Sequence, residues 1–99
     1  MEEPAFLGKT ITSFPILLNT KEGEMVVKEN GLIIKAGDKI IVPNGYVEGI
    51  EEKKKLPLGK VRAHMRVYEV MGIRHDLELI MAEHNLRYLE KIYSNKHRL

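Results

Sequence analysis

The sequence predicts an α+β domain: a β-rich, mostly antiparallel sheet that can be barrel-like, with one short helix near the C-terminus. Three observations carry this. Asn30-Gly31 and Asn44-Gly45 each sit between apolar runs, the strongest short-range signal of a β-hairpin. Val61, Ala63, Met65 and Val67 alternate with Arg62, His64, Arg66 and Tyr68, the period of a half-buried strand. After Gly72 the period lengthens to that of a helix.

In chain order, Gly8 to Asn19 is strand-like but interrupted by Pro15, which suits an edge or a bulge. Met25 to Glu29 and Leu32 to Lys35 form the arms of the first hairpin. A two-residue Asn30-Gly31 loop sets Val27 opposite Ile34 and Val26 opposite Lys35. Met25, Val27, Leu32 and Ile34 then share one buried face, and Val26 and Ile33 the other. Ala36-Gly37-Asp38 links this hairpin to a second, Lys39 to Pro43 and Tyr46-Val47 around Asn44-Gly45. The charged run Glu51 to Lys55, ending at Pro57 and Gly59, reads as a solvated loop. The alternating strand Lys60 to Tyr68 follows. Leu77, Ile80, Met81 and His84 fall on one helical stripe, with Asp76 and Glu78 where carboxylates suit the dipole. That helix is expected to stop at His84, with Asn85 as its left-handed cap and Leu86 to Tyr93 as a last strand. Residues 94–99 read as a frayed basic tail.

Ninety-nine residues give a single small domain, 1–99, whose stability margin is thin. Apolar residues make up 43% and charged residues 30% of the chain, a globular rather than disordered balance. Net charge is only +2, too small to indicate nucleic acid or membrane by magnitude. With no cysteine there is neither a disulfide framework nor a cysteine-ligated metal site. The acidic start Met1-Glu2-Glu3-Pro4 is unlike a secretory signal, and no apolar run approaches the ~20 residues of a membrane span. A cytoplasmic protein is the expectation. Glutamine and tryptophan are absent while Lys and Glu abound, a thermophile-like composition.

Met25-Val26-Val27, Leu32-Ile33-Ile34 and Ile40-Ile41-Val42 are apolar on consecutive positions, which implies a sheet covered on both faces. One helix of about three turns cannot cover both. The sheet therefore curls on itself into a barrel or sandwich, or a second subunit covers the remainder, or both, and a homo-oligomer is the favoured reading.

The chemistry-bearing constellation is the basic strand. Lys60, Arg62, His64, Arg66 and Tyr68 project from one face, at a spacing of about 7 Å that could track phosphates and stack a base. All five arginines lie after Gly59. Against this stands the ordinary alternative of a solvent-facing strand whose arginines pair with carboxylates. Four histidines, His64, His75, His84 and His97, match no compact zinc spacing, so no metal or other cofactor is expected. His84, on the apolar stripe, reads as a core or boundary residue. The two serines, Ser13 and Ser94, lie in no nucleophile motif, and no glycine-rich phosphate loop is present. Nothing in the sequence argues for an enzyme. The leading expectation is a non-catalytic module that self-associates or binds a protein partner; the alternative is a nucleic-acid binder using residues 60–68.

Gly37-Asp38, Pro43-Asn44-Gly45 and Glu48 resemble the second motif of the cupin family, and Glu24 with Gly31 the end of its first. The resemblance implies a small β-barrel, often metal-dependent and often dimeric. Glu48 stands where that motif has its metal histidine, so no activity is carried over.

Overall fold

The computed structural model describes residues 4–93. It contains a short 3-10 turn, Ala5–Leu7, and then seven strands: β1 (Thr10–Leu18), β2 (Lys21–Lys28), β3 (Gly31–Ala36), β4 (Asp38–Pro43), β5 (Val47–Leu56), β6 (Lys60–Tyr68) and β7 (Arg74–Ala82). One helix, α1 (Glu83–Tyr93), ends the described chain. Every neighbouring pair is antiparallel, in the order β4-β3-β2-β1-β7-β6-β5. The fold class expected from the sequence is the one observed. The predicted basic tail, 94–99, lies outside the described residues.

The sheet consists of two meanders, β1–β4 and β5–β7. They are joined where Leu17 faces Ile80 and Leu18 faces Leu79. Curling brings the outer edges near each other, and the Pro43–Tyr46 turn crosses between them, with Tyr46 N donating to Pro43 O at 3.0 Å. Val70 N also donates to Ile41 O at 2.9 Å. Edge strands β4 and β5 form no ladder, so the sheet is not a closed barrel.

The inner faces of both meanders and one face of α1 form the main core. Phe14, Ile16, Met25, Val27, Leu32, Ile34 and Val42 meet Val61, Ala63, Met65, Val67, Leu77, Leu79 and Met81, with Leu86, Leu89 and Tyr93 from the helix. On the outside of β2–β4, a second cluster joins Val26, Ile33 and half-buried Ile41 to Leu7 of the N-terminal strap. The strap is fastened by backbone bonds: Asn30 N donates to Leu7 O (2.9 Å) and Glu29 N to Lys9 O (3.0 Å). It accounts for the consecutive apolar runs on β2 and β3 within one chain. The need for a covering subunit, inferred from those runs, therefore falls away there.

Four local expectations are corrected. The first hairpin turns on Glu29-Asn30, with Lys28 facing Gly31, so Met25 faces Ile34 and Val26 faces Ile33. Moving the turn one residue shifts the partners by two positions, and the alternation of faces survives. Met25, Val27, Leu32 and Ile34 are accordingly together in the main core.

The second predicted hairpin does not exist. Ala36-Gly37-Asp38, read as a linker, is itself the β3–β4 turn, and Asn44-Gly45 connects the two edges of the sheet. Its neighbour, the charged run Glu51 to Lys55, is part of strand β5. An edge strand paired on one side tolerates such charge, and charge protects its free side.

The last helix and strand are interchanged. Residues 74–82 are extended because Leu77, Leu79 and Met81 also alternate, and β6 lies directly beside them, Ala63 facing Leu79 and Val61 facing Met81. The stripe Leu77, Ile80, Met81 fitted a helix but left Leu79, now fully buried, off its face. Starting at Glu83, the helix buries Leu86, Leu89 and Tyr93 on one side only, and His84 is exposed rather than in the core.

Candidate functional site

Residues of the basic strand project as expected. Val61, Ala63, Met65 and Val67 are buried; Arg62, His64 and Arg66 are half-buried on the outer face, with Lys60 and Tyr68 exposed at its ends. The register sets acidic neighbours beside them. His64 lies between Glu51 of β5 and Glu78 of β7, and Arg66 faces Asp76. Arg66 Nε donates to Asp76 Oδ1 at 3.2 Å, while Arg62 Nε lies 3.9 Å from Glu78 Oε2. Glu48 and Asp76 flank Arg74, at 3.8 and 3.7 Å. The face is thus a mosaic of both signs, and its arginines face carboxylates of the same sheet.

The described surface includes the following three depressions. A small one of about 240 Å³ lies on the mosaic face, between Gly49, Ile50, Glu51, His64 and Arg66. Another, about 520 Å³, occupies the fork where β1 and β7 diverge, between Pro15, Leu17, Glu22, Lys60 and Ile80. Pro15 therefore borders an unpaired stretch of β1, which agrees with its reading as an edge-like position. The largest of the three, about 750 Å³, opens at the mouth of the curled sheet, with Leu18, Ile40 and Leu77 in its lining. There His75 Nε2 and Glu69 Oε2 are 2.8 Å apart and both half-buried, a pair invisible in the sequence because it spans a hairpin. Among the described residues, no group of three or more His, Asp or Glu is placed to hold a metal ion, and no helix is long and apolar enough to cross a membrane.

The feature the sequence reading missed is apolar and exposed. Tyr46, Tyr68, Val70, Met71 and Ile73 crowd one corner of the molecule, where the β4–β5 and β6–β7 turns meet. Their backbones are tied together: Tyr68 N donates to Tyr46 O (2.8 Å), Glu69 N to Ile73 O (2.9 Å) and Gly72 N to Glu69 O (2.8 Å). Met71 is 79% exposed and Ile73 57%, although hydrogen-bonded turns at a sheet rim are normally polar. The available signal was Val70-Met71-Gly72-Ile73 itself, an apolar segment around a glycine between two strands.

Comparison with family models, with curated proteins and with solved structures returns no match for this chain.

Proposed function

We propose that this domain is a non-catalytic module that acts by binding protein, its own copies or another chain, through the corner formed by Tyr46, Tyr68, Val70, Met71 and Ile73. One observation carries the reading: five large apolar side chains are exposed on two neighbouring turns and the adjoining end of β6, which backbone hydrogen bonds hold together. Isolated exposed apolar residues are commonplace, but a contiguous group usually marks a contact surface. Tyrosine and methionine are also among the residues enriched in interface cores.

Competing routes to association are obstructed. Edge strand β5 carries Glu51, Lys53, Lys54 and Lys55 and is bulged twice, both of which discourage strand addition. On the β4 edge, the Ile41 carbonyl already accepts from Val70.

The test is site-specific photocrosslinking in the source cells, with the reactive residue in place of Met71. A discrete adduct is expected, lost when Ile73→Asp is added. An adduct pattern indistinguishable from that of the same residue placed at exposed Lys54 would overturn the reading.

A further inference from the structure

We infer that the occupant of this corner is a second copy of the chain, docked about a two-fold axis; the inference rests on the protein-binding reading above and names its partner. Two features of the surface lead there.

The first is the rim. Tyr68 and Arg74 are cross-strand partners, and Tyr46 is tied to Tyr68 by its backbone, so the charges beside the corner belong to one short stretch of sheet. Those charges include Arg66 and Arg74 of one sign and Glu48 and Asp76 of the other, with the half-buried Glu69–His75 pair at the turn itself. A two-fold interface must be complementary to itself, so a rim of one sign would repel its copy, whereas a mixed rim can match it. Arg74 is poised for this. Its nearest carboxylate oxygens stand at 3.7 and 3.8 Å, beyond hydrogen-bond range, so its planar fork can still form short bonds with a partner's carboxylate.

Area is the second. From their fractional exposures the five side chains offer on the order of 500 Å² per copy. Two copies would bury about 1,000 Å² in all, near the lower limit for a specific interface. The expected assembly is a reversible dimer with a dissociation constant in the micromolar range, not a permanent one.

Sedimentation velocity on the full chain, from about 1 µM to about 1 mM, reads the assembly directly. The sedimentation coefficient should rise from monomer to dimer across that range. Met71→Asp, at a position too exposed to disturb folding, should weaken the dimer at least tenfold. Two charge-reversed chains test the two-fold match: R66E/R74E with an acidic rim, and E48K/D76K with a basic one. Each should remain monomeric alone, and their mixture should form a heterodimer. A wild-type chain that stays monomeric to about 1 mM, or a dimer indifferent to Met71→Asp, would sink the inference. Should the crosslinker at position 71 still capture a different protein while the wild type is monomeric, the protein-binding reading survives and only the second copy is lost. No adduct and no dimer would remove both.

Discussion

At the scale of single residues, the turns are where backbone geometry and side-chain identity disagree most. The β5–β6 connection runs through Leu58 and Gly59, both with positive φ (64° and 72°). Gly59 accepts this conformation freely, but a leucine there brings Cβ against the carbonyl oxygen at a cost of about 1–2 kcal/mol. Leu58 is 94% exposed, so its side chain offsets none of that by burial. Leu58→Asn, a residue that tolerates the left-handed region, should therefore stabilise the domain by roughly 0.5–1 kcal/mol. Thermal unfolding would show it as a midpoint a few degrees higher. An unchanged or lower midpoint would mean that Leu58 has a contact in solution that the isolated chain does not show.

At the scale of elements, charge does two different jobs on the two sides of β5–β7. Towards α1 it fastens the helix. Arg87 Nη1 donates to Glu90 Oε1 (2.9 Å), and Nη2 donates to Glu83 Oε2 (2.9 Å) and to Glu52 on β5; Lys55 Nζ donates to the same Glu83 oxygen (2.9 Å). The hydrogen bond from Arg87 lowers the titration of Glu52 below its ordinary 4.5, and that from Lys55 does the same for Glu83. Carboxyls that titrate lower in the fold than in the unfolded chain stabilise it above the unfolded value, and lose that effect as pH falls through the folded one. Melting midpoints should thus decline below about pH 4.5. In Arg87→Ala the decline should be shallower and start from a lower plateau; a parallel profile would show that the network does not hold the helix. Arg87 and Lys55 are exposed and their carboxylate partners only half-buried, so about 0.5 M salt should narrow the difference between the two chains.

On the outer face, charge cancels itself. Nucleic-acid binding through Lys60, Arg62, His64, Arg66 and Tyr68 would need cations free to replace counterions, each contact adding about 0.7–0.9 to the salt slope. Arg66 is hydrogen-bonded to Asp76, and Glu51 and Glu78 flank His64. The expected outcome is no retention of single- or double-stranded oligonucleotides even near about 50 mM salt, where weak electrostatic binding is most visible. Retention lost in R62A/R66A, with a slope smaller by roughly 1.5, would restore the nucleic-acid reading.

At the scale of the whole molecule, what was legible in the sequence followed from local periodicity, and what was not followed from pairing at a distance. The face of every residue on β6 could be read because one strand's alternation decides it. The faces of β2 and β3 were right even though the turn was misplaced, since a shift of two positions preserves parity. By contrast, Asn44-Gly45 gives the same local signal whether its arms pair or part, and only the order of the sheet decides which. Leu77 to Met81 satisfy two periods at once, and β6, already in place beside them, selects the strand. The strap at Leu7 and the Glu69–His75 pair depend on contacts between segments far apart or on opposite sides of a turn.

The same topology bears on how the domain unfolds. Its two meanders are joined by ladder pairing at two positions and by the backbone bonds of Asn19 N to Glu78 O (3.0 Å) and Val70 N to Ile41 O (2.9 Å), a seam so short that hydrogen bonding alone would let them open separately. Their side chains contradict this. Ile34 and Met25 from one meander, and Met65 and Leu79 from the other, belong to one continuous core whose members are fully or almost fully buried. Opening either half exposes the inner face of both, so the cost is shared. Ile34→Ala on β3 and Met65→Ala on β6 should each cost about 2–5 kcal/mol, a large part of the stability of a domain this size. Denaturant unfolding followed by backbone amide resonances at Ile33 and at Ala63 should show coincident midpoints in the wild type, and both should move together in either variant. If Ile34→Ala shifts only the Ile33 midpoint and leaves Ala63 in place, the meanders are separate folding units, and the common core does not bind them into one.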